Sequence, residues 1–197
     1  MPRVAQAHLD ARRRQILDAA RRCFVRDGFH ATSMQDILGE ARLSAGAVYR
    51  YFRGKEDIVL AIATDAITEI RRALDEALDT EVPPPLDEVV LRMLTTLTRL
   101  DDTQQVGTIA IQVWAEALRS PHLAAQVAEA IGRTRGQLAR LAELYQRHGQ
   151  LDATVPAEHV AATVVALLPG FLLQRTVLGD VEPAMLAGGL RALLGKA

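Results

Sequence analysis

Cysteine is almost absent from this 197-residue chain. Cys23 stands alone, which excludes an internal disulfide. It falls on the apolar face of a first helix with Ile16, Ala20 and Phe24, where a small buried side chain is its expected role. Five histidines (His8, His30, His122, His148, His159) are scattered, none at metal-ligand spacing with Cys or Asp, so no metal site is expected. A glycine-rich phosphate loop is missing. So are a Ser/His/Asp or Cys/His order in motif context and acids paired in a catalytic setting, which argues against an enzyme and against a bound cofactor. No apolar run reaches the length of a membrane span. The longest, residues 160–173, is interrupted by Thr163, Pro169 and Gly170. The N-terminus is polar, with Arg12, Arg13 and Arg14 ahead of the first apolar positions, so no signal peptide is read and a cytoplasmic protein without membrane contact is expected. Sustained period-two alternation is also lacking, which removes the β-sheet as an organising element.

What remains is helix. Hydrophobic residues make up 49% of the chain, ample for a core, and the length suits one large domain or two small ones. A first helix is expected over residues 10–27, stopped by Gly28. Residues 32–58 read as two short helices joined by a tight turn, the second ended by Gly54, and then the start of another. That fourth helix opens near Lys55 with Glu56 and Asp57 at its positive end. Ile58, Ile62, Ala66, Ile70, Leu74 and Leu78 form its apolar stripe, and Pro83-Pro84-Pro85 breaks the chain after it. A fifth helix presents Leu86, Val90, Met93, Leu97 and Leu100, and a sixth, near 104–119, presents Val106, Ile109, Val113 and Ala117. Ser120-Pro121 opens a seventh that reaches His148. Pro156 opens an eighth, closed by Gly179, and Pro183 opens a ninth. The expected fold is all-α with about nine helices: a three-helix head over residues 1–54 and a larger helical domain over 55–197, with the fourth helix belonging to both halves.

The segment 32–58 carries the most information. Thr32 with Gln35 three residues later fits a capping box, and Met34, Ile37, Leu38 and Ala41 give the first short helix its apolar face. Ser44 fits the cap of the second. Ala45, Gly46 and Ala47 then open it with almost no side-chain bulk, which lets a helix end sit very close to another surface. Tyr49, Arg50 and Tyr51 follow, groups suited to phosphates and base edges. This is the layout of a helix-turn-helix, whose second helix enters the DNA major groove by its N-terminal residues. The charge distribution agrees. Residues 1–55 hold 11 Lys and Arg against 5 Asp and Glu, a net +6, and the remainder carries −7. A basic head on an acidic body suits a head that meets a polyanion.

The order Thr32-x4-Ile37, Ala41, Leu43-Ser44-x-Gly46, Val48-Tyr49-x-Tyr51-Phe52, Lys55-x2-Ile58 resembles the tetracycline-repressor (TetR) family of bacterial regulators, over roughly residues 12–60. The family usually has Gly where this chain has Arg42, and often Ala where it has Leu38. A left-handed residue with a Cβ costs roughly 1 kcal/mol there, which Arg42 must accept, and Arg42 is also placed to touch a phosphate. The resemblance implies that Thr32, Ser44, Tyr49 and Lys55 hold the DNA backbone while Ala45, Gly46, Ala47 and Arg50 face the bases. Arg50 is the side chain suited to a bidentate pair with guanine. Tyr51 either adds a phenolic hydroxyl or packs on the first helix. Arg12, Arg13 and Arg14 are a candidate arm.

One recognition helix contacts too few base pairs for genomic specificity, so a homodimer on a two-fold related double-stranded operator is expected. The eighth helix is apolar around much of its circumference and must be covered on several sides. Ala161, Val164, Val165, Leu168 and Leu172, with Leu186 and Leu190 of the ninth helix, are therefore the candidate dimer interface. The resemblance implies the same bundle, and also a pocket for a small-molecule effector within helices four to eight. Met93, Leu97, Trp114, Phe171, Gln174 and Arg175 are its candidate lining, mostly apolar, with Arg175 to anchor an anion. The implied function is a ligand-responsive transcriptional repressor. A transcriptional activator would carry the same residues, and a ligand-independent architectural DNA-binding protein would use the same head.

Overall fold

The computed structural model describes the backbone of residues 2–195 and the side chains of residues 6–195. Every regular element among them is a helix: α1 (Pro2–Ala31), α2 (Met34–Ala41), α3 (Ala45–Tyr49), α4 (Lys55–Leu78), α5 (Leu86–Gln104), α6 (Val106–Ala117), α7 (Pro121–Arg147), α8 (Ala157–Leu178) and α9 (Pro183–Leu193). The first helix is longer than expected at both ends. Gly28 interrupts it with φ 81° and ψ 161°, a region essentially reserved for glycine, but the chain then resumes to Ala31.

The start of α2 also differs from the expected one. Ser33, not Thr32, is the cap. Its hydroxyl accepts the Asp36 N–H at 3.2 Å, and the Asp36 carboxylate accepts the Ser33 N–H at 2.7 Å. Asp36 rather than Gln35 therefore closes the capping box. Thr32 is buried, and its hydroxyl donates to the Gly28 carbonyl at 2.7 Å, sealing the break in α1 instead. The turn after α2 follows the sequence reading. Arg42 takes the left-handed position at φ 54° and ψ 44°. Its N–H donates to Gly39 O and the Leu43 N–H donates to Leu38 O, both at 3.1 Å, the paired bonds of a Schellman turn. α3 ends at Tyr49 instead of reaching Gly54, so Arg50 stands at its C-terminal end.

Two apolar clusters organise the chain. The first joins Ile16, Phe24, Ile37, Val48 and Phe52 of the head to Ile58, Val59 and Ile62 of α4, and to Ile109, Val113 and Leu123 of α6 and α7. The second gathers Leu74, Met93, Leu97, Leu141, Tyr145 and Phe171 from α4, α5, α7 and α8. α4 runs through both, as its stripe implied. The α5 stripe is buried along its whole length, from Leu86 to Leu100. Gln105 takes φ 52° to turn the chain from α5 into α6. Just beyond, the Gly107 N–H donates to Asp101 Oδ1 at 2.8 Å. A Cβ at position 107 would collide with the Thr176 hydroxyl, so glycine lets α6 begin hard against α8.

α8 is 22 residues long, well beyond the interrupted run read from the sequence, and Pro169 stays inside it. By length and composition alone it could cross a bilayer. In the fold it packs on α7 and buries Ala161, Val164, Phe171 and Leu172.

Candidate nucleic-acid interface and effector cavity

The head presents the second helix of the helix-turn-helix to solvent. Val48 is fully buried and fixes α3 against the core, while Ser44, Ala45, Gly46, Tyr49 and Arg50 are exposed and Ala47 is half-exposed. The Ser44 hydroxyl accepts the Ala47 N–H at 3.4 Å, a weak cap, and no bulk stands in front of this helix end. Arg42 is exposed at the turn. Neither Arg42 nor Arg50 forms an ion pair among the described residues, whereas several other head arginines do. Arg22 lies 2.7 Å from Glu40, and its hydrogen bond holds that carboxyl below the usual range. Exposed Arg53, in the connection to α4, is a further cation that the motif pattern did not single out.

Three expected DNA contacts are engaged elsewhere. Thr32 is buried, as described. Lys55 donates from Nζ to the carbonyls of Phe29 at 2.7 Å and His30 at 3.3 Å, and lies 4.7 Å from the Phe29 ring centroid. Its charge caps the end of α1, where carbonyls lack helical partners. The Arg12–Arg14 run, the candidate arm, is helical. It lies within α1, and Arg13 makes a bidentate pair with Asp65 of α4, at 3.0 and 3.1 Å. Tyr51 is half-buried and packs on the head cluster, as one of its two readings had it.

Behind the head, α4 to α8 surround a cavity of about 400 Å³. Ile62 and Ile67 of α4, Ile109 and Val113 of α6, Ile131 of α7 and Val165 of α8 show its character. No charged side chain lines it, and its polar groups are the hydroxyls of Thr64 and Thr134 and the Trp114 indole. The Thr134 hydroxyl already donates to the Ala130 carbonyl, at 3.4 Å. Exposed Trp114, Ala162 and Ala166 stand at the rim.

The structure redistributes the candidates assigned to the cavity and the interface. Leu97 and Trp114 do line the cavity. Met93 and Phe171 do not: both are fully buried in the second cluster. Gln174 is exposed and off the cavity wall. Arg175 is committed to acids, 2.9 Å from Asp102, 3.5 Å from Glu182 and 3.6 Å from Asp101, tying α8 to the end of α5 and the start of α9. It anchors no anion in the cavity. Of the expected interface residues, Ala161, Val164 and Leu172 are buried in the subunit's own fold, and Val165, Leu168 and Leu172 line the cavity. Leu186 and Leu190 are half-buried against the second cluster. Leu173, Val177 and Leu178 of α8 and Met185 of α9 are exposed apolar side chains. An all-round apolar helix gives no phase in the sequence, so its covered and open sides could not be told apart.

Comparison with known proteins agrees with this architecture. Residues 16–62 match the family model for bacterial regulatory proteins of the tetR family. Residues 85–195, more than half of the chain, match the model for the BetI-type transcriptional repressor C-terminal domain. The HTH-type transcriptional repressor Rv1474c of Mycobacterium tuberculosis is 42% identical over 65 residues, 33% of this chain and 35% of that protein. The chain thus aligns with about a third of that relative's length. The HTH-type transcriptional regulator UidR of Escherichia coli K12 is 25% identical over 190 residues, covering 96% of this chain and 94% of UidR. Among solved structures, Salmonella enterica GusR superposes with a TM-score of 0.77 at 27% identity, covering 94% of this chain and 95% of GusR.

Proposed function

The chain belongs to the tetR family of bacterial transcriptional regulators, and from that premise we propose a ligand-responsive repressor that binds a palindromic operator as a homodimer and lets go when a neutral, largely apolar molecule fills the cavity. The head offers a small-residue helix end flanked by two exposed arginines that form no ion pair among the described residues. In this reading Arg50 reads a base and Arg42 meets the backbone. Ser33 and Ser44 mark the two helix starts, where free N–H groups donate to phosphate oxygens. The exposed apolar strip of Leu173, Val177, Leu178 and Met185 supplies the face for a second copy, and two heads on one operator supply the specificity that one lacks.

The observation that carries the ligand class is the uncharged wall of the 400 Å³ cavity. A carboxylate buried there would lose its hydration and gain no cation, whereas an alcohol or an uncharged ring system would lose little. Trp114, the only tryptophan, lies in the wall and reports on occupancy. The test pairs decanol with decanoate at pH 8. Decanol should change Trp114 emission and dissociate the protein from DNA taken from upstream of its own gene. Decanoate should need at least about tenfold more, reflecting the cost of desolvating its charge. Equal potency of the two, or a response to decanoate alone, would sink the neutral-ligand reading. Equal binding to upstream and scrambled DNA would sink the specific-repressor reading.

A further inference from the structure

α6 has two faces with different duties. Ile109, Ala110, Val113 and Trp114 line the cavity. Gln112, one residue from Val113, points to the head and meets both sides of the Gly28 break in α1. Its Oε1 accepts the Phe29 N–H at 2.7 Å, and its Nε2 donates to the Phe24 carbonyl at 3.1 Å. Gly28 is the one position at which α1 leaves helical geometry, so its flanking backbone groups are where the helix most needs outside partners. The other end of α6 is pinned, with Gly107 held to Asp101 and pressed against Thr176.

We propose that Gln112 is the positioning residue that couples the cavity to the DNA-reading head, through its two hydrogen bonds across the Gly28 break. The inference rests on the effector reading of the cavity for its biological meaning, but its geometry stands apart from it. A molecule that pushes the cavity face of α6 outward cannot slide the helix along its axis, because Gly107 blocks that end. The displacement goes to the middle of α6, where Gln112 sits. Its two partners lie five residues apart on either side of the break, so driving Gln112 about 1 Å against α1 cannot keep both bonds in hydrogen-bonding geometry. The end of α1 then loses a donor and an acceptor at its least helical point. Thr32, which seals the same break by its bond to Gly28, begins the connection into α2. The orientation of the reading helix is thus set from a residue that touches neither ligand nor DNA.

Hydrogen exchange at the Phe29 amide, followed by NMR, reads the clamp directly. Two independent pushes on α6 are used. One is N-phenyl-naphthylamine, a neutral aromatic fluorophore whose entry is registered by quenching of Trp114. The other is Ala110→Phe, which fills the cavity from α6 with no ligand present. Each should speed Phe29 exchange about tenfold or more, while the Ile37 amide inside α2 stays unchanged. Gln112→Ala should exchange fast from the outset and ignore both pushes. Gln112→Glu keeps the acceptor for the Phe29 N–H and should retain the slow exchange. Two results overturn the clamp: Phe29 exchange that does not respond to bound fluorophore or to Ala110→Phe, or a response that persists in Gln112→Ala. If the fluorophore leaves Trp114 unquenched while Ala110→Phe still speeds Phe29 exchange through Gln112, the clamp stands and the neutral-effector reading falls.

Discussion

At the level of single residues, a shift of one position separates Thr32 from Ser33 and changes both roles. Both are cap-forming residues, and both have a suitable partner three residues on, so local chemistry does not choose between them. The choice comes from Gly28. Its non-helical geometry leaves a carbonyl that the Thr32 hydroxyl reaches, and burial then removes Thr32 from the surface. Ser33 inherits the cap. The Asp36 carboxyl lies below its ordinary range, first because the Ser33 hydroxyl donates to it at 2.6 Å and then because the Ser33 N–H does. A depressed folded-state carboxyl stabilises the fold above the unfolded-state value and loses that contribution as pH falls through the folded-state value. Asp36→Asn should therefore flatten the acid limb of the stability curve, while Ser33→Ala should cost about 1 kcal/mol at neutral pH. Urea melts from pH 3 to 7 measure both. An acid limb with the wild-type slope in Asp36→Asn would show that the box adds nothing.

Arg42 is the opposite case, a residue whose left-handed place was implied by the glycine usual there in the family it resembles. Leu38, Gly39 and Leu43 form the turn around it, and only a left-handed conformation closes the two bonds. Lys55 has partners that the local sequence does not show. A lysine at a helix start beside a DNA-binding motif suggests phosphate, but the nearest acceptors are carbonyls 25 and 26 residues earlier.

At the level of elements, α8 carries the proposed interface between subunits. Its composition is apolar on every side, so sequence identifies the helix without its phase. Packing on α7 takes one side, the cavity takes another, and the outward strip through Leu173 and Val177 is what remains. Val177→Glu should therefore give monomers in sedimentation velocity with helicity intact, since its side chain is exposed in the single chain. A dimer that survives would move the interface off this strip. Leu168→Glu would instead place a charge against the cavity and test stability.

For the molecule as a whole, the head is not a closed unit. Its apolar cluster takes Ile58, Val59 and Ile62 from α4 and Ile109, Val113 and Leu123 from α6 and α7. A fragment of residues 1–54 lacks all six and exposes the faces they cover. At this size a chain is already short of buried area, so the fragment should show no cooperative melt by circular dichroism. A sharp two-state transition would mean that the head folds by itself and that the shared cluster is dispensable. The shared cluster has a functional counterpart. Ile109 and Val113 touch both the cavity and the head core, so no inert layer separates the cavity from the head.

The helical class, the order of nine helices among the described residues and the small-residue start of α3 were legible in the chain's own pattern. These follow from periodicity, capping chemistry and residue size within a few turns of chain, and such local signals survive without knowledge of partners. Which side of α8 is covered, the hold of three acids on Arg175, the inward turn of Lys55 and Thr32, and the Gln112 bridge across the break in α1 all come from tertiary packing. Each of those depends on groups brought together from distant parts of the chain, 83 residues apart for Gln112 and Phe29, and no local pattern encodes that separation.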